Sequence, residues 1–159
     1  GFETYCIYDK NQFFMHPLLL IYKKSLKKIG IKLSLKGLNS DEYFSQLQSI
    51  EHPMKMTRYA PWCADAGYAM FVSFFSSSLG NYSHYNNSKV DNFIENALAD
   101  TNYETRLNTL HKVQKIIMAD YPWVNICNPY FVIARSSNLK GWTYRTYNHT
   151  KAQDFYLSV

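Results

Sequence analysis

Residues 31–36 alternate strictly: Ile31, Leu33 and Leu35 are apolar, and Lys32, Ser34 and Lys36 are polar. A period of two is the mark of a strand with one solvated face. Just before it, Leu19, Tyr22, Leu26 and Ile29 recur at helical spacing, with Pro17 suited to the first helical position and Gly30 to the stop. Thr4 to Tyr8, earlier still, is a short run of β-formers. Strand, helix and strand with short connections make a βαβ unit, whose two strands lie parallel. That order sets the fold class as α/β.

The pattern continues downstream. Asn39 followed by Glu42 predicts a capped second helix with Tyr43, Phe44, Leu47 and Ile50 on its apolar side, ended by Pro53. Met54 to Ala60 predicts a third strand, which would deliver Trp62-Cys63-Ala64-Asp65 to the rim of the sheet; Tyr68 to Phe75 is a weakly helical aromatic run. Residues 76–87 form a Ser, Asn and Tyr-rich loop of a length that suggests ligand binding or mobility. Ser88 is placed to cap a helix with Val90, Phe93, Ile94, Ala97 and Leu98 inside. Thr101 with Glu104 is placed to cap another, with Leu107, Leu110, Val113 and Ile117 inside and Asp120-Tyr121-Pro122 closing it. Both stripes read as core packing. Trp123 to Cys127 and Tyr130 to Ala134 read as strands split by Asn128-Pro129, Phe155 to Val159 as a closing strand, and residues 135–153 show no period.

Composition narrows the function classes. An aromatic content of 17% in 159 residues argues for one folded domain rather than a disordered chain. The net charge of +5 is modest, and Lys23, Lys24, Lys27, Lys28, Lys32 and Lys36 concentrate it on a polar helix face and the following strand. A solvated face explains that cluster, and no nucleic-acid signature accompanies it. No hydrophobic run approaches the roughly 20 residues of a membrane span. His16, His52, His84, His111 and His149 are scattered without metal-ligand spacing. Ser73, Ser76, Ser77 and Ser78 sit in no nucleophile elbow, and there is no glycine-rich phosphate loop. The expectation is therefore a binding protein without a cofactor rather than an enzyme, with a small α/β hydrolase as the competing class. Cys6, Cys63 and Cys127 show no CxxC or Cys/His pattern, and a Cys6–Cys127 bridge stays open at this level.

Trp62-Cys63-Ala64-Asp65 carries the most chemistry in the least sequence: an apolar wall, a thiol and an anion. A ligand ammonium removed from water needs a carboxylate partner, which Asp65 would supply. Backbone groups around Cys63 and Ala64 would pair with an extended peptide as an added strand, limited on one side because Pro61 has no N–H. The plainer alternative is a buried tryptophan beside a solvated aspartate.

The same segment resembles the ligand-contact stretch of the periplasmic oligopeptide-binding proteins of ABC importers. Further pieces fall in the family's order: Leu26-Lys27-Lys28-Ile29-Gly30-Ile31-Lys32-Leu33, Asn81-Tyr82-Ser83-His84-Tyr85-Asn86-Asn87, Val90-Asp91, Arg106, Leu110, Asp120-Tyr121-Pro122 and Asn138-Leu139-Lys140-Gly141-Trp142. The resemblance implies that residues 1–159 are a single domain, the C-terminal lobe of a larger two-lobed protein of the type II periplasmic-binding-protein fold, with a mixed, mostly parallel sheet flanked by helices. It implies an extracytoplasmic protein, any signal or lipid anchor preceding Gly1, that captures oligopeptides and hands them to an ABC permease. Its partners would be the peptide, the N-terminal lobe and the permease. Related importers carry dipeptides, nickel complexes or haem. The resemblance further implies that Trp62 walls a side-chain pocket and that Cys63 has a disulfide partner earlier in the full protein.

Two departures from the family pattern stand out. The family often places an arginine three residues before the Trp, to meet a peptide carboxylate; here that position is Tyr59, and the arginine is Arg58. Within a strand Arg58 would face the other way unless a bulge restored it. After Asp65 the family carries an aromatic and an acidic-Pro pair, whereas this chain has Ala66-Gly67-Tyr68-Ala69.

Overall fold

A computed structural model describes residues 1–60, 62–128, 130, 132–143 and 152–158. The chain divides into two compact units, one of Gly1–Tyr59 with Phe71–Asp91, the other of Ala60–Met70 with Asn92–Val159.

The first unit is built on three parallel strands in the order β2-β1-β3. β1 (Glu3–Asp9) is central, pairing with β2 (Lys32–Leu38) from Glu3↔Lys32 to Asp9↔Leu38, and with β3 (Met54–Lys55) through Cys6↔Met54 and Ile7↔Lys55. Its side chains alternate between two cores, as a strand covered on both faces requires. Cys6 and Tyr8 pack with Met15 and Leu19 of α1 (Met15–Lys27), together with Leu33 and Met56. Ile7 packs on the other face with Tyr43 of α2 (Ser40–Gln46) and with Leu47. Helices thus cover both faces, as the βαβ reading predicts.

Boundaries differ from the sequence expectations in physical detail. α1 begins at Met15, so Pro17 sits in the first turn, where its missing N–H is no loss. The helix ends at Lys27, and Gly30, at φ +78°, turns the chain while Ile31 N–H bonds back to the Leu26 carbonyl at 3.1 Å. The expected strand from Met54 to Ala60 stops at Lys55. Met56 still donates to the Ile7 carbonyl at 3.0 Å, but its own carbonyl is taken by the Tyr43 hydroxyl at 2.6 Å, and β1 has run out at Asp9. Burial pushes the Tyr43 hydroxyl up to about 12.

The carboxyl ends of β1 and β2 are tied by buried Asp9, whose two oxygens accept from the Ser40 hydroxyl at 3.1 and 2.9 Å and whose Oδ1 accepts Asn11 N–H at 2.9 Å. The polar loop of residues 76–87 is stitched internally by buried Asn81. Lys55 Nζ ties it to the end of α2 by donating to the Leu47 and Tyr82 carbonyls, each at 2.9 Å, and burial holds this amine below its usual range.

α3 (Ala66–Phe74) and α4 (Ser88–Ala99) carry the chain between the units. Asn87, not Ser88, caps α4, its Oδ1 accepting the N–H groups of Lys89 and Val90 at 3.1 and 3.3 Å. In the second unit α5 (Tyr103–Asp120) buries Leu110, Val113 and Ile117. Asn102, one residue after the expected Thr101, caps it by accepting Thr105 N–H at 3.1 Å. Tyr121 closes it in the left-handed conformation, φ 52°. β4 (Leu139–Lys140) and β5 (Tyr156–Leu157) form a short antiparallel pair.

The expected strands Trp123 to Cys127 and Tyr130 to Ala134 do not form among the described residues, where the chain is irregular and Val124, Ile126, Tyr130, Val132 and Ile133 are exposed. Their β-forming side chains meet no ladder partner there. Pro61, Pro129, Phe131, residues 144–151, with His149, and Val159, the end of the expected closing strand from Phe155, lie outside the described residues. No described helix is long and apolar enough to cross a membrane.

Candidate functional site

Trp62 to Asp65 belong to the second unit and lead into α3. Trp62 is 81% exposed, so its indole is a surface wall rather than a core anchor; Cys63 and Ala64 are exposed too. Asp65 starts the helix: its Oδ1 accepts Tyr68 N–H at 2.7 Å, and its carbonyl accepts Ala69 N–H at 3.0 Å. A side-chain acceptor at that place satisfies one of the unpaired N–H groups of a first helical turn. This cap explains why α3 begins at Ala66, two residues before the expected start at Tyr68.

The Asp65 carboxylate has a second partner, which sequence spacing did not reveal. Arg106 Nη2, in the first turn of α5, lies 2.7 Å from Oδ2 and 2.8 Å from Oδ1. The Tyr68 N–H first, and the Arg106 hydrogen bond and charge after it, hold this carboxyl below the usual carboxylate range. Side-chain exposures of 32% for Asp65 and 25% for Arg106 leave the pair reachable from solvent.

Arg106 is itself fixed. Its Nε donates to the Ala97 carbonyl of α4 at 2.9 Å, and its backbone N–H bonds to the Asn102 carbonyl at 3.0 Å. The turn before it is braced by Asp100, which accepts the Thr105 hydroxyl and the Asn102 N–H and is held below the usual range by those bonds. Gly67 closes the arrangement. A Cβ there would lie 2.9 Å from Arg106 Nη2, 3.2 Å from Asp65 Oδ1 and 3.2 Å from Leu98 Cδ2.

Arg58 lies in the first unit, exposed and beyond the end of β3. The alternation argument about its direction therefore has no strand beneath it. All three cysteines are free thiols. Cys6 is buried between β1 and α1, where desolvation pushes its thiol up to about 11, and it forms no bridge with Cys127. Among the described residues no group of three or more His, Cys, Asp or Glu side chains could hold a metal ion.

Set beside known proteins, the chain has clear relatives. No protein-family model matches it. It is 27% identical over 143 residues to a probable D,D-dipeptide-binding periplasmic protein of Escherichia coli, covering 87% of this chain and 27% of that protein. It is 27% identical over 152 residues to a glutathione-binding protein of Shigella dysenteriae, covering 89% of this chain and 30% of that one. In structure it matches a periplasmic binding protein from Helicobacter pylori, solved in complex with the peptide STSA, with a TM-score of 0.89 at 23% identity over 99% of this chain and 31% of that chain. The chain thus spans about three tenths of the length of the proteins it matches. The fold is that of type II periplasmic binding proteins, and the relatives are substrate-binding proteins, in keeping with the resemblance drawn from the sequence.

Proposed function

From a chain homologous to periplasmic substrate-binding proteins and sharing their fold, we infer a protein that works outside the cytoplasmic membrane, captures short peptides and delivers them to an ABC permease. The 159 residues act as the C-terminal lobe of a longer two-lobed protein, lipid-anchored or free, whose lobes close over the ligand by hinge motion. The exposed apolar residues of the 123–133 segment support this, since they are surface that a further part of the protein would cover.

One observation carries the ligand class: a solvent-reachable carboxylate, Asp65, three positions after an exposed indole, Trp62, on the same segment. Asp65 receives the peptide α-ammonium, Trp62 walls a side-chain pocket, and the backbone at Cys63 and Ala64 pairs with the extended peptide. Arg58 is the candidate partner for a peptide carboxylate.

Native mass spectrometry of the full-length protein, purified without refolding, tests this reading. Co-purified peptides whose retention falls in Asp65→Asn are the expected result. A protein carrying a metal complex or haem, or peptides retained equally by Asp65→Asn, would overturn the ligand class or the amine site respectively.

A further inference from the structure

Asp65 does not offer an empty carboxylate. Tyr68 N–H and Arg106 Nη2 both reach Oδ1, at 2.7 and 2.8 Å, and Arg106 Nη2 reaches Oδ2 at 2.7 Å. The Gly67 N–H also bonds this carboxylate, so its roughly four lone-pair positions are already largely taken. The cation beside it is not free to withdraw. Ala97 holds Nε at 2.9 Å, and the missing side chain at Gly67 leaves the guanidinium room to lie against the carboxylate, Nη2 being 2.9 Å from where a Cβ would stand. A ligand ammonium reaching Oδ2 must therefore share the anion with a fixed guanidinium, and the two cations repel.

We propose that Arg106 is the specificity-determining residue of the amine site: by sharing Asp65 it lowers the attraction for a free amine below that of a lone carboxylate, so that charge alone does not capture a ligand. This rests on the reading of Asp65 as the amine partner. A small amine without a peptide backbone is then held poorly, while a peptide adds its strand-like pairing around Cys63 and Ala64.

The test uses the full-length protein and two probes, trialanine and N-acetyl-trialanine, with the ratio of their affinities measured by competition calorimetry. Arg106→Gln should raise the preference for the free amine by about threefold or more, because the competing charge is gone. Arg106→Lys, which keeps the charge, should leave the ratio within about twofold of the parent. A ratio unchanged in Arg106→Gln would overturn the proposal, and a lowered one would make Arg106 a positioning residue instead.

Arg106→His supplies the same test within one protein if Arg106→Gln fails to fold. Its ratio should rise between about pH 5.5 and about pH 7 as the imidazole discharges, while the parent's stays level; a level response in both overturns the proposal. Asp65→Asn, run in parallel, separates the two inferences. If it leaves the ratio untouched, the amine site itself is wrong. If it abolishes the preference and Arg106→Gln does not raise it, only the role of Arg106 is wrong.

Discussion

Asn81 holds Tyr85 at both backbone groups: its Nδ2 donates to the Tyr85 carbonyl at 2.8 Å, and its Oδ1 accepts the Tyr85 N–H at 3.1 Å. The same amide also donates to the Phe75 carbonyl at 3.3 Å and accepts the Ser83 hydroxyl at 3.0 Å. One side chain thus supplies the pairing that a strand neighbour would supply elsewhere. Asn81→Ala leaves several part-buried groups without their protein partner and should cost about 1–2 kcal/mol of stability, read from denaturant midpoints at unchanged slope. A loss under about 0.5 kcal/mol would mean that water replaces the amide.

The Asp65 carboxyl is held below its ordinary value by Tyr68 N–H and Arg106, so its ionised form favours the folded chain. That contribution is complete above the unfolded carboxyl value of about 4 and disappears as pH falls through the lower folded value. Asp65→Asn should therefore melt below the parent at about pH 7, with the gap closing toward about pH 3. A gap that stays constant over this range would show that the loss does not come from the ionised carboxylate.

Gly67→Ala places a methyl group against Arg106 Nη2 and Asp65 Oδ1. Overpacking of this kind should cost about 1–3 kcal/mol. The cost should shrink in an Arg106→Ala background, since the obstructing guanidinium is gone, and that non-additivity is the diagnostic. Equal costs in both backgrounds would place the strain against Leu98 instead.

Thiol reactivity should sort by burial. Cys63 and Cys127 are exposed, whereas Cys6 is buried with its thiol pushed up to about 11. In the 159 residues alone, a thiol reagent at about pH 8 should label Cys63 and Cys127 promptly and Cys6 only on unfolding, because the thiolate is the nucleophile. Mass mapping of the labelled peptides checks this.

The βαβ core was legible because each of its elements declares itself locally. Leu33 and Leu35 alternate with lysines and serine, Leu19 and Leu26 fall one helix face apart, and Gly30 makes the turn between them. The caps of α4 and α5 were legible only to within a residue, because Asn87 and Asn102 compete with neighbouring Ser88 and Thr101 for the same role, and Asn39 stands at the start of α2 without making a side-chain cap bond. Residues 123–134 misled, since β-forming side chains report a backbone preference and say nothing about whether a partner strand exists. The Trp62 to Asp65 segment stood out by its residue types. Its Arg106 partner did not, because 41 positions separate it from Asp65 and no local period links them.

The register of the parallel sheet also orders events in time. Lys32 lies 29 positions after its partner Glu3, whereas Met54 lies 48 after Cys6. Closing the longer loop costs about 0.5 kcal/mol more, and β3 offers only two paired residues in return. The βαβ unit of β1, α1 and β2 is thus the natural folding nucleus, with β3 docking onto it late. Truncating Leu33 should slow refolding, while truncating Met56 should mainly hasten unfolding.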